Sequence, residues 1–341
     1  MDELRGPLAL EGWLEFNREK WKLHPTSLKV SANGSQLPAV EVKCLLNEKG
    51  QICTPPLTPY VPVFFHPTPT KAAHRVGRQW LEVSELLVRE MTHLGLSNYI
   101  LLPPYISDIR AWQWAGYPVR VRYTLLLDFP YDSRNMDQCV RNRCRHASRE
   151  GYTCRRTENM GEVVKCLEGT AGRQGLESQL SEADLDRARN LMGSESFRTY
   201  VCYSPDGTPV STQVALFSVG TYALDWLAGT MSTHLYRGVA QLLTKYMLDD
   251  LDASGATGID LVGANIPGVS IAKATWGARL VPFYRIESQG AVQVVNAFRE
   301  WWKFYRAPKL PLIVTSGSLQ KYTDALAEPE ESAAEPMTKS V

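Results

Sequence analysis

Apolar residues recur at helical spacing over some stretches of the chain and run together or alternate over others. The helical spacing predicts helices from Gly12 to Lys20, from Lys71 to Leu94 with a stop at Gly95, and from Met136 to Arg149 with a stop at Gly151. Residues 160 to 193 read as one or two helices, with Ser181-Glu182-Ala183-Asp184 as a capping start for the second. Another helix begins at Leu235 and is closed by Gly255, and a short one spans Val269 to Thr275. Strand patterns fall at Val40 to Leu46, Tyr99 to Leu102, Val119 to Leu127, Tyr152 to Arg156, Thr199 to Tyr203, Pro209 to Val219, Tyr222 to Ala228 and Thr257 to Val262. The run Thr54-Pro55-Pro56-Leu57-Thr58-Pro59-Tyr60-Val61-Pro62 lacks ladder donors and must be a shaped loop.

The 341 residues suffice for two domains of ordinary size. A hydrophobic content of 44% with 21% charged residues is that of a soluble globular protein, and no apolar run is long enough to span a bilayer. Met1-Asp2-Glu3-Leu4-Arg5 is not the start of a secretory signal, so a cytoplasmic location is expected. Seven cysteines, an odd number with no CxxC pair, point to reduced thiols and away from a disulfide framework or a zinc site. The six histidines show no ligand spacing, so no metal is expected. Net charge is +1, but residues 141 to 156 are basic and 325 to 335 acidic; from Glu328 onward the composition predicts a disordered tail.

Residues 235 to 277 combine a helix, a glycine turn, a strand and a lysine-bearing loop that stands as Ala272-Lys273-Ala274-Thr275-Trp276-Gly277. This layout resembles the second domain of the FemAB/FemX family, peptidoglycan interpeptide-bridge aminoacyltransferases built on the acyl-CoA N-acetyltransferase (GNAT) fold, in which a Phe-Lys-x-x-Phe-Gly-like element follows the strand and glycine loop. Lysine and glycine match; Trp276 replaces one aromatic and Ala272 the other. Pro103-Pro104-Tyr105-Ile106-Ser107-Asp108, Gly116-Tyr117 with Tyr123-Thr124, and the arginine helix ending at Gly151 add to the resemblance. It implies an α+β protein of two tandem GNAT-like domains, with mixed central sheets flanked by helices. Residues 1–135 would form the acceptor side and 136–310 the donor side; 311–327 is a segment that could pack back on the first domain, before the tail at 328–341.

Acyl transfer to an amine needs a neutral amine, a carbonyl held in line and stabilisation of the developing oxyanion. An ester or thioester donor is already activated, and the chain has no Gly-x-Ser-x-Gly elbow. By the resemblance, Lys273 is the cation aimed at the oxyanion or at a phosphate; on spacing alone it is a solvated lysine on a short helix. Asp108 is placed to accept a proton or orient the amine, or else to cap the next helix. Tyr60 and Tyr105 would line the acceptor groove or pack on a sheet, and Trp276 and Tyr284 are further substrate-binding candidates. Arg141, Arg145 and Arg149 recur at steps of four and share one helix face, which suits a diphosphate or RNA backbone, or is a solvated face.

Donor-binding candidates are Arg237, Gly238, Ala240 and Asn265. Acyl-CoA-dependent relatives resemble one another in an Arg/Gln-x-x-Gly-x-Gly/Ala loop that holds pyrophosphate. Gly238 and Ala240 match, Leu235 occupies the first position, and Gly238 is equally a packing glycine. The resemblance implies aminoacyl-tRNA as donor and a lipid- or nucleotide-linked peptidoglycan peptide, such as a UDP-linked muropeptide, as acceptor, with no tightly bound cofactor and no DNA partner. An acyl-CoA-dependent N-acetyltransferase of a sugar amine or small metabolite is the alternative. A non-catalytic protein that binds a nucleotide-linked ligand is the alternative from another class.

Overall fold

Alternation in residues 197–230 folds as an antiparallel meander, and the helices of the chain pack on both of its faces. The computed structural model describes residues 6–32, 39–174 and 178–289. In chain order the elements are α1 (Glu11–Trp21), β1 (His24–Val30), β2 (Val40–Leu46), β3 (Ile52–Cys53), β4 (Val63–Phe65), α2 (Ala73–Leu94), β5 (Tyr99–Leu102), α3 (Arg110–Trp114) and β6 (Val119–Asp128). Then follow α4 (Gln138–Arg149), β7 (Thr153–Arg156), α5 (Met160–Gln174), α6 (Glu182–Met192), β8 (Phe197–Tyr203), β9 (Pro209–Leu216), β10 (Tyr222–Thr230), α7 (Val239–Ala253), β11 (Gly258–Asp260), α8 (Pro267–Ala274) and β12 (Arg279–Glu287).

An eight-stranded sheet runs β5-β12-β6-β11-β10-β9-β8-β7, and only β10 and β11 are parallel. It takes β5 and β6 from before residue 135 and its other six strands from after it. A smaller antiparallel sheet runs β1-β2-β3, with β4 also on β2. Helices α4 and α7 cover one face of the large sheet, where Val140, Ala147, Leu243 and Met247 pack on Leu125, Leu127, Ala223 and Ile259. Helices α1, α5 and α6 cover the other through Trp13, Phe16, Val163 and Leu185, against Val201, Val214, Leu224 and Trp226. Helix α2 closes a further core between the two sheets with Val83, Leu87 and Met91 against Val42, Ile100, Leu102 and Ile286. The result is the α+β arrangement expected, with a large mixed sheet flanked by helices and a smaller antiparallel one.

Local chemistry accounts for the element ends. Ser181 and Asp184 form the capping box that starts α6, each side chain bonding the other's backbone N–H. Strand β12 escaped the sequence pattern because Pro282 sits in a strand with neighbours on both sides. Its register explains the tolerance. Pro282 stands opposite Tyr123, whose own N–H and C=O are taken on the β11 side by Asn265, and β5 pairs β12 only from Tyr284 onward. No ladder bond therefore needs a donor at Pro282. Strand β1 was missed for a related reason, since it is polar, carries Pro25 and pairs only with β2.

No helix among the described residues is long and apolar enough to cross a membrane. The expected segments 311–327 and 328–341, and the end of the expected second domain from residue 290, lie outside the described residues.

Candidate active site

The one parallel pair of the large sheet is short. Tyr222, Ala223 and Leu224 of β10 register with Gly258, Ile259 and Asp260 of β11, and then the strands part. Strand β10 bulges between Asp225 and Leu227 and continues along β9, whereas β11 stops and the chain turns away through Val262 (φ 46°) and Gly263 (φ 78°). A β-branched residue in the left-handed region costs about 1 kcal/mol or more, so the turn is held by its surroundings. The parting leaves a wedge lined by carbonyls without strand partners. Lys273 of α8 fills it: its ammonium donates to Leu261 O, to Val262 O at 2.8 Å and to Asp225 Oδ2 at 3.3 Å. All three ammonium protons are thereby engaged.

Asp225 is 4% exposed in its side chain, and its Oδ1 has no hydrogen-bond partner among the described residues. Burial pushes its carboxyl up, and the Lys273 charge opposes this. Across the wedge Asp260, 2% exposed, is held by Thr124 Oγ1 and the Val262 N–H (2.8 Å) on Oδ1, and by the Tyr60 hydroxyl (2.8 Å) on Oδ2. Burial likewise raises the Asp260 carboxyl, while Thr124, the Val262 N–H, Tyr60 and the Lys273 charge hold it down. Lys273 thus bonds one buried carboxylate, Asp225, and acts on the other, Asp260, through its charge.

Asp260 and Tyr60 open into a cleft of about 780 Å³ between the N-terminal turn, β4, the Pro103-Pro104-Tyr105 loop and the sheet. Leu8, Val61, Val63, Ile106, Leu224 and Val281 make most of it apolar, and Asp260 and Arg279 are its charged lining residues. Arg279 is also directed at Asp128 (3.5 Å) and at the Tyr222 hydroxyl (3.5 Å). On the other side of Tyr60 a second hollow of about 160 Å³ is bordered by Arg122, Asn265, Phe283 and Arg285.

Among solved structures, FemX aligns with a TM-score of 0.57 at 11% identity, over 81% of this chain and 91% of that one. The chain has the FemX fold. The C-terminal domain of a putative lysylphosphatidylglycerol synthetase from Agrobacterium fabrum aligns at 0.54 and 13% identity, over 84% and 91% of the two chains. L-PGS from Bacillus licheniformis aligns at 0.53 and 13%, over 88% and 98%. No protein-family model matches the chain, and no curated protein sequence matches it significantly.

In this FemX-like fold the residues singled out in the sequence are only partly gathered. Lys273, Tyr60 and Asn265 surround the end of β11, where Asn265 extends the sheet by pairing its side-chain amide with Tyr123 N and O (3.0 and 2.9 Å). Tyr105, 65% exposed, lines the large cleft and donates to Val63 O at 2.7 Å.

The others stand elsewhere. Asp108 is clamped by Arg110 (2.8 Å), which holds its carboxyl below the usual range. Arg141 donates to the carbonyls of Ser133, Arg134 and Met136 and so ties down the chain entering α4. Arg145 and Arg149 are exposed, with no ion-pair partner among the described residues. Trp276 is in the core beneath α4 and α7, and Tyr284 packs toward α2. Arg237 pairs with Glu150 at 3.1 Å, and the Ala240 carbonyl accepts from Thr244. At Gly238 (φ 77°) a Cβ would lie 2.4 Å from Arg143 O, so the glycine lets α7 begin against the backbone of α4.

Asp225, Asp260 and Thr124 were missed as site residues. A signal was present: each aspartate interrupts an apolar strand run, Leu224-Asp225-Trp226 and Ile259-Asp260-Leu261, and a buried carboxylate in a strand marks a site candidate. Burial pushes Cys44 and Cys166 up to about 12 and Cys144 to about 11, which keeps these thiols protonated and removes them as nucleophiles.

Proposed function

We propose that the protein is an acyltransferase that moves an aminoacyl or acyl group from an activated carrier to a primary amine. The observation that carries this reading is the wedge between β10 and β11, where the Lys273 charge acts on Asp260, a residue of the cleft wall. Such a charge favours the oxyanion that develops in acyl transfer. To bond the oxyanion directly, Lys273 would exchange one of its carbonyl acceptors for it.

The cleft, mostly apolar with one carboxylate and one guanidinium, suits an amine on an extended acceptor such as a UDP-linked muropeptide. Aminoacyl-tRNA is the donor proposed from the FemX-like fold and the lysine loop. The exposed guanidinium groups of Arg145 and Arg149 are free to meet a phosphate backbone, whereas Arg141 is engaged with the chain itself. Arg237, Gly238 and Ala240 at the start of α7, and Asn265 at the end of β11, remain the proposed donor contacts. A cytoplasmic location belongs to the same proposal.

Label transfer tests it. The purified protein is offered charged total tRNA or labelled acetyl-CoA, together with a UDP-linked muropeptide and a mixed amine pool. RNase-sensitive transfer supports the aminoacyl-tRNA donor; RNase-resistant transfer from acetyl-CoA replaces it with a thioester donor; no transfer from either contradicts the proposal.

A further inference from the structure

The geometry points to Asp260 as the catalytic group that receives the acceptor's ammonium in the large cleft and takes its proton, with Tyr60 as the residue that positions it. This rests on the acyl-transfer reading and moves the base from Asp108, the candidate offered by the sequence and engaged by Arg110, to Asp260.

Asp260 is the single carboxylate among the residues lining the 780 Å³ cleft. Its two oxygens are treated differently. Oδ1 is fixed by Thr124 and by the Val262 N–H, while Oδ2 has, among the described residues, the Tyr60 hydroxyl alone and keeps acceptor capacity. Two of these anchors belong to β6 and to the loop before β4, so the carboxylate is held from both sides of the cleft floor. Lys273 is bonded to Asp225 and reaches Asp260 only through its charge, so no cation is bonded to Asp260 among the described residues.

The apolar walls favour the proton transfer itself. An ammonium ion brought into such a cleft loses hydration and becomes a stronger acid, and the buried Asp260 is already a stronger base than an exposed carboxylate. The charged and titratable groups around Asp260 are Tyr60 from the loop before β4 and Lys273 from α8, with Arg279 from β12, Tyr222 from β10 and Tyr105 in the walls of the same cleft.

The reaction balances as follows. The acceptor R–NH3⁺ gives one proton to Asp260, and the freed nitrogen lone pair forms a C–N bond to the donor's ester or thioester carbonyl carbon. The tetrahedral intermediate collapses with cleavage of the C–O or C–S bond. The departing alkoxide or thiolate takes the second proton from nitrogen, leaving the amide, and Asp260 returns its proton to water. The substrate class is a primary amine carried on an apolar or extended stem.

Two readouts test this on the full chain, each with a check that the variant melts cooperatively. In transfer assays Asp260→Asn is expected to lower kcat on the order of 10²- to 10⁴-fold and to abolish the rise of kcat with pH. Tyr60→Phe, which removes a bond that lowers the Asp260 carboxyl, is expected to move that rise to higher pH, a shift that a merely structural role would not produce. A kcat for Asp260→Asn within threefold of wild type would overturn the inference.

In calorimetry, n-hexylamine is expected to bind wild type at least tenfold more tightly than Asp260→Asn, while 1-hexanol binds both alike. Equal hexylamine binding overturns the inference whether or not transfer is seen. Asp260-dependent binding without transfer from either donor class supports the ammonium site and overturns the acyl-transfer reading.

Discussion

Lys273 on α8 and Asp225 on β10 meet where β10 leaves β11, with Nζ 3.3 Å from Oδ2, so one ion pair closes the only parallel junction of the large sheet among the described residues. The Asp225 side chain is nearly inaccessible and that of Lys273 is 24% exposed. Removing the lysine leaves a buried charge and two bare carbonyls. Lys273→Ala is therefore expected to cost about 3 kcal/mol of unfolding free energy, near the lower end for breaking a buried pair. The double variant Lys273→Met with Asp225→Leu should recover most of that loss in urea denaturation. Additive losses would show that the two side chains do not act as a pair.

The same lysine is expected to matter more for activity than Asp108. Asp108 already has a partner in Arg110, outside the large cleft. With one donor, the specificity constant of Asp108→Asn should stay within about tenfold of wild type, and that of Lys273→Ala should fall by a larger factor. Equal losses would contradict the ranking.

Asp108 should appear in the acid limb of stability. Arg110 holds its folded-state carboxyl below the unfolded-chain value of about 3.9, so its contribution is complete above that pH and is lost as the pH falls through the lower folded value. Asp108→Asn should flatten the stability profile below about pH 4 and not above it. Melting temperatures from pH 2 to pH 6 read this directly; a change confined to neutral pH would speak against the Arg110 pairing.

Most helices were legible because burial on one face forces a period, and the strands of the meander, buried on both faces, because they run between turn residues such as Ser204-Pro205-Asp206-Gly207. The strands at Val40–Leu46 and Tyr99–Leu102 are found where apolar patterning put them. The limits of β11 were not, because the expected Thr257 to Val262 strand ends at Asp260, where Val262 adopts a left-handed backbone conformation to open the wedge. Strand β12 was hidden by Pro282, whose tolerance depends on partners that only the folded register supplies. At the site, the Lys273 loop could be read from its resemblance, but its carboxylate partners could not. Asp225 and Asp260 come from strands separated in sequence by a helix, and the Lys273 charge comes to act on both only in the folded sheet.

Gly238 separates a packing role from a ligand role. Gly238→Ala would place a Cβ against the Arg143 carbonyl in a left-handed conformation, so a loss of about 2–4 kcal/mol is expected, combining backbone strain with overpacking. Chemical denaturation measures it. An undiminished stability with weakened donor binding would make the residue a ligand contact.

Tyr60 ties the proline-rich loop to the sheet through Asp260. Tyr60→Phe keeps the ring against Phe283 and removes one buried hydrogen bond, so a loss of about 1–3 kcal/mol is expected in the same assay. No loss would mean that Asp260 finds another donor without cost.

The most direct test of the account is mass spectrometry of the acceptor after incubation of wild-type protein with an aminoacyl or acyl donor and a primary amine. The account predicts a new amide whose formation matches release of the free carrier one to one. Acceptor binding with no amide formed, from aminoacyl-tRNA or acyl-CoA alike, would contradict it and leave a ligand-binding protein on a FemX-like scaffold.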